Sequence, residues 1–183
     1  MKILKPTYFL TGRPFAALLF ILTLLSSIGQ AKIYYVSPYG DDSKSGLSIK
    51  DAWKTIDKVN TITFGPGDQL LFESGGTWQG QLRPQGSGEK DNPIRLGKYG
   101  GQARPVINLG SAEGAGIRLT NQSWWEISDM EITSGAPPKP GIGRQGIVAM
   151  VEGSDQHVRH IVIRNCFVHD IWGQLGGRSE YTG

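Results

Sequence analysis

The sequence predicts an all-β chain wound as a parallel β-helix, a solenoid of short strands, with one short helix near its N-terminus. Three observations lead there. First, Trp124–Thr133 (WWEISDMEIT) and His160–His169 (HIVIRNCFVH) share one pattern. Apolar residues fall at Trp125, Ile127, Met130 and Ile132 in one window, and at Ile161, Ile163, Cys166 and Val168 in the other. Alternation marks a half-buried strand. The one-residue slip at Ser128-Asp129 and at Arg164-Asn165 marks a corner that keeps one side inward, and repeated corners wind a solenoid. Second, the other short apolar segments fall into columns beside these windows. Third, the spacing between them is unequal, which separates the chain from tandem arrays of fixed repeat length.

Along the chain, Ile33–Val36 reads as a strand and Ser37–Gly46 (SPYGDDSKSG) as a turn-rich loop. Ser48 caps a helix expected over Ile49–Val59, with Asp51 three residues on as a capping-box variant. Ala52, Trp53, Ile56 and Val59 share one face of that helix. Pro66-Gly67-Asp68 is a turn, Gln69–Glu73 a strand and Ser74–Trp78 a loop. Three columns come next. Ile94–Leu96, Ile117–Leu119 and Ile147–Ala149 make the first. Val106–Ile107, Trp125–Ile127 and Ile161–Ile163 make the second. Met130–Ile132 and Cys166–Val168 make the third. Asp129 and Asn165 stand at one shared corner, where Asx residues tolerate left-handed backbone angles and their stacked side chains can bond each other. Ser134–Gln145 (SGAPPKPGIGRQ) is too rich in Pro and Gly for strand or helix. It and the segment from His169 onward are expected to protrude as loops beside one face.

The N-terminus reads as a targeting segment. Lys2, Lys5 and Arg13 precede the uncharged run Phe15–Ile28 and then Gly29-Gln30-Ala31. This is the pattern of a secretory signal peptide over residues 1–31, too short for a comfortable membrane span. Its three cations account for the whole formal net charge of +3. The remainder, residues 32–183, is about one domain and formally neutral. A nucleic-acid partner therefore loses its electrostatic support, and no membrane association is expected after cleavage. The expected location is secreted, periplasmic or extracellular. The single cysteine, Cys166, cannot form an intrachain disulfide and reads as a small inward hydrophobe.

The segments YYVSPYGDDSKSG, AWKTIDKVN with PGDQLLF, PIRLGKYGGQARPVINL, and the windows SWWEISDMEI and HIVIRNCFVHDI resemble secreted right-handed parallel β-helix proteins of the pectate-lyase-like superfamily. The likeness spans nearly all of residues 33–170. It implies a right-handed solenoid whose N-terminal helix caps one end. It is not specific for reaction, because that fold carries lyases, glycoside hydrolases, epimerases and non-catalytic proteins. No cap is legible after Asp170, and about three coils are present, so the chain reads as the N-terminal portion of a longer protein.

In that resemblance a polysaccharide lies along the first-column face. A lyase acting on uronic-acid polymers needs a base, and a cation to offset the developing charge. Arg118, His169 and Asp170 are the catalytic candidates. Arg144, Trp172 and Trp124 are the candidates for substrate binding, the tryptophans by stacking on sugar rings. Arg118 also reads as a solvated strand residue, and His169-Asp170 as a turn-stabilising pair. Asp41, Ser43 and Ser45 match the start of a calcium loop. Ala52 stands where its terminal Glu belongs, so a tight surface loop is favoured and calcium is only a candidate cofactor. A glycosidase needs two carboxylates across a groove; Glu126, Glu131, Glu152 and Asp155 are available without a spacing that selects a pair. The leading expectation is lyase-type β-elimination on acidic polysaccharide. The alternatives are a non-catalytic glycan-binding or adhesin β-helix, and a glycoside hydrolase.

Overall fold

The computed structural model describes residues 30–135, 143–154 and 156–172. The chain divides into two units, Met1–Gln30 and Ala31–Gly183, and every described strand lies in the second. The expected signal peptide lies outside the described residues except at its last two positions. So do Asp155 and most of both expected protruding loops.

The structure is mostly β. Its strands are β1 (Ile33–Val36), β2 (Gln69–Glu73), β3 (Thr77–Gln79), β4 (Ile94–Tyr99), β5 (Val106–Asn108), β6 (Gly114–Thr120), β7 (Trp125–Ser128), β8 (Glu131–Thr133), β9 (Arg144–Met150), β10 (Ile161–Arg164) and β11 (Phe167–Val168). They form three sheets, ordered β1-β2-β4-β7-β10, β3-β5-β8-β11 and β6-β9. Every ladder between them is parallel. From β4 onward the chain visits first, second and third sheet in fixed rotation.

Period-2 alternation sends one side chain of each pair inward, and the register stacks these into rows. Leu70, Leu96, Ile127 and Ile163 make one row. Trp78, Ile107, Ile132 and Val168 make a second. An isolated bridge from Leu82 to Ile117 extends β6 and β9, so that Leu82, Ile117 and Ile147 make a third. Leu70, Leu96, Ile107, Ile117, Ile127 and Ile132 are fully buried. Each such burial stabilises by about 1.5–3 kcal/mol before entropy is counted.

Two expected column members belong elsewhere. Ile94–Leu96 pairs with Trp125–Ile127, not with Ile117–Leu119. Val106–Ile107 pairs with Glu131–Ile132. The earliest pass is thus shifted by one column, because alternation looks the same in every sheet and does not say which sheet a strand joins. Leu82, which belongs to none of the expected columns, is the true partner of Ile117. Thr77 and Trp78, expected in a loop, are in β3, and Arg144 and Gln145 begin β9.

The expected helix over Ile49–Val59 is two pieces, a 3-10 turn at Ile49–Asp51 and α1 at Ile56–Asn60. Ser48 caps the first reciprocally, accepting from Asp51 N at 3.2 Å and donating to its carboxylate at 2.9 Å. Thr55 caps α1. Between them Trp53 is extended. Its N–H donates to Tyr35 O at 2.9 Å and its carbonyl accepts from Ser37 N at 2.8 Å. The exposed edge of β1 offers unpaired backbone groups, and satisfying them outweighs helical continuity. The helical-face residues Ala52, Trp53, Ile56 and Val59 are all buried nonetheless.

The shared corner is present. Asp129 and Asn165 have φ of 61° and 48°, and Asn165 Nδ2 donates to Asp129 Oδ1. Cys166 is half-buried against the core, and its burial pushes the thiol pKa up.

Candidate functional site

Three arginines meet around a groove beside the third sheet. Ile117 and Leu119 are fully buried, so Arg118 between them points out. The bridge at Leu82–Ile117 is made by Leu82 N to Gly116 O and Arg118 N to Leu82 O, both 2.9 Å. It places Arg83 beside Arg118 on the neighbouring strand. Side chains so paired stand about 5 Å apart, and like charges there repel. Arg83 is held by a neutral group, with Nε donating to Gln81 Oε1 at 2.6 Å. Arg118 Nη1 is 3.9 Å from Glu152 Oε1, and its Nε is buried without a hydrogen-bond partner among the described residues. Arg144 is buried and donates from Nε to Ala112 O at 3.2 Å.

These three arginines, with Gln81, Gln145 and Glu113, line a groove of about 550 Å³. A second groove of about 540 Å³ continues from it past Asp57, Asn60 and Gln85, with Gln81, Arg83 and Glu113 as the shared wall. Gln81 Nε2 donates to Glu113 O, and Asn60 both accepts from Arg83 N at 2.6 Å and donates to Gln81 O at 2.9 Å. The wall is therefore fixed by neutral amides, and among the described residues Arg83 is hydrogen-bonded to Gln81. Arg83, Arg118 and Arg144 line the first groove together with Glu113, Arg118 sharing its charge with Glu152, and a guanidinium presents paired donors to a carboxylate.

Of the candidate residues legible in the sequence, Arg118 and Arg144 come together here. His169 and Asp170 line neither groove; they form a cluster with Glu131. His169 Nδ1 is 2.9 Å from Asp170 Oδ2 and Nε2 is 3.1 Å from Glu131 Oε1. Trp124 stacks on His160 at 4.7 Å between ring centroids. Trp172 is exposed, with φ of 44°. Neither tryptophan lines either of these two grooves. Of the carboxylates considered as a pair, Glu126 is engaged by Arg95 at 3.4 Å and Arg164 at 3.0 Å. Sequence reasoning missed Arg83, Gln81, Glu113 and Asn60. The alternation in Gln81-Leu82-Arg83-Pro84-Gln85 was the signal that could have found the first two.

The Asp41 loop is closed on itself. Asp41 Oδ1 accepts from Ser43 N at 2.9 Å and from Ser43 Oγ at 2.7 Å, bonds that hold its carboxyl below the usual range. Ser45 Oγ accepts from Leu47 N. Asp42 instead binds Lys54 N, Thr55 N and Thr55 Oγ1, tying the loop to α1. Among the described residues no group of three or more His, Cys, Asp or Glu is arranged to hold a metal ion.

No protein-family model and no curated protein sequence matches the chain. Among solved structures it is similar to the GH136 lacto-N-biosidase from Eubacterium ramulus. With the selenomethionine form the TM-score is 0.69 at 22% identity, over 87% of this chain and 30% of that one. With the native form the TM-score is 0.67 at 25% identity, over 78% and 28%. An alginate lyase from Paenibacillus sp. str. FPU-7 matches at a TM-score of 0.49 and 21% identity, over 64% and 35%. The chain thus spans under a third of the length of the lacto-N-biosidase. The likeness lies in the fold, an all-β architecture of parallel sheets with almost no helix.

Proposed function

We propose that this chain belongs to an exported, polysaccharide-active protein with a right-handed parallel β-helix fold. Its Arg83–Arg118–Arg144 groove binds an acidic polysaccharide, and β-elimination is the reaction that the groove serves. The fixed rotation through three parallel sheets supports the fold. One observation carries the function: Arg83, Arg118 and Arg144 converge on one groove. A uronate carboxylate in the groove would meet the guanidinium groups of Arg83 and Arg118 that line it. As the proton beside that carboxylate leaves, charge builds on its oxygens, and the arginines stabilise that charge more than the ground state. Glu113 is the carboxylate lining the groove and the candidate base.

A second reading, a glycoside hydrolase, draws on the adjoining groove, which presents both Asp57 and Glu113 as a pair of carboxylates. Incubating the full chain with pectate, alginate and glycosaminoglycans, with and without calcium, separates these readings. Rising ultraviolet absorbance from unsaturated ends, lost in Arg118→Ala, is the expected result. Release of reducing ends without absorbance favours hydrolysis. Binding without either product favours a non-catalytic glycan-binding protein, and no binding sinks the groove assignment. Export is checked by N-terminal sequencing of secreted protein, which should begin at Lys32.

A further inference from the structure

Two copies of one side-chain arrangement hold the pass β10–β11 onto the pass β7–β8. At one end His160 stacks on Trp124 and sets Nε2 3.4 Å from Glu126 Oε1. At the other, His169 stacks on Phe167 at 4.3 Å between centroids and sets Nε2 3.1 Å from Glu131 Oε1. Each joins an aromatic ring, an imidazole and a glutamate across two adjacent passes. Ile163 and Val168 stack on Ile127 and Ile132, and they are 48% and 45% exposed.

His169 has a stricter requirement than His160. Both of its ring nitrogens face carboxylate oxygens, Asp170 on Nδ1 and Glu131 on Nε2. A neutral imidazole has one N–H and one lone pair, so it satisfies only one of them and turns a lone pair toward the other. Only the imidazolium makes both bonds. Glu131 comes from β8 and Asp170 from the segment after β11; these are the charged groups that act on it. At the opposite end Glu126 also meets Arg95 of β4 and Arg164 of β10, and the Asp129–Asn165 corner between them is braced by Arg104 at 2.8 Å.

We propose that His169, as its imidazolium, is a proton-dependent clasp that fastens the β10–β11 pass to the rest of the fold and loosens it as pH rises. The Asp170 bond, then the Glu131 bond, push the His169 pKa up from 6.5. A pKa raised by folding means stability that is complete below the unfolded value and lost as pH rises through the folded one. Glu126 runs the other way. Its partial burial is the largest single influence and opposes ionisation, but His160, Arg95 and Arg164 together outweigh it and lower the pKa from 4.5. That contribution is present above 4.5 and is lost as pH falls through the depressed value. The pass is held best between these limits.

Hydrogen exchange of the full chain tests this. After correction for intrinsic rates, amides of Ile161–Val168 should lose protection as pH rises from about 5.5 to 8.5, across and beyond the ordinary histidine range. Amides of Gln69–Glu73 should change less. His169→Gln should give low protection at both pH values. Equal wild-type protection at the two pH values, or an unchanged pH dependence in His169→Gln, overturns the clasp. A proton titration of His169 by NMR in the wild type, independent of any variant, overturns it if the pKa lies below 6.5.

Discussion

The passes β4–β8 and β10–β11 use the same pattern and the same parallel ladders but differ in burial and in side-chain bonding. In the first, Leu96, Ile107, Ile127 and Ile132 are fully buried, and β4, β5, β7 and β8 are each flanked on both sides by another strand. In the second, the equivalent Ile163 and Val168 are about half exposed, and side chains add to the ladder: His160, Arg164, Asn165 and His169 each bond a carboxylate of β7–β8 or of the corner between them. Both passes are joined by parallel ladders, and in the second the side-chain bonds add to the ladder.

The comparison breaks most easily at the inward row. Ile127→Ala should cost about 2–5 kcal/mol, as fully buried Ile truncations do. Ile163→Ala, one strand along the same row, should cost less than half of that. Equal losses in urea denaturation followed by tryptophan fluorescence would show that the two passes are equally cemented.

A smaller effect comes from two glycines of the third sheet. A Cβ on Gly116 would lie 2.4 Å from Cγ2 of Ile132, and one on Gly146 2.3 Å from Cγ1 of Val168. The geometry is nearly the same, but Ile132 is locked in the core and Val168 is not. Gly116→Ala should cost about 1–3 kcal/mol by overpacking, and Gly146→Ala should fall well below it in thermal unfolding.

The smallest effect is at the corner. Asn165→Ala places Ala at φ 48° and removes the bond to Asp129. A loss of about 1–2 kcal/mol is expected from the left-handed backbone alone. Asn165→Gly should recover most of it, and failure to recover would assign the residue's worth to the side-chain bond instead.

Much of this architecture is legible from residues alone. The strands at Ile33–Val36 and Gln69–Glu73, the inward choice at Trp125, and the Asp129–Asn165 corner follow from period-2 alternation and from the backbone angles that Asx residues accept. These are local properties, and a linear pattern records them. Arg118 and Arg144 are legible as outward or loop cations, but not as neighbours of Arg83. Their meeting depends on register between segments far apart in sequence. Only the tertiary structure decided it, as it decided which column Ile94 and Val106 join, and that Trp53 leaves a helix to pair with β1. Alternation specifies which side of a strand faces in; hydrogen bonding to a particular neighbour specifies where that strand lies and what its outer face meets.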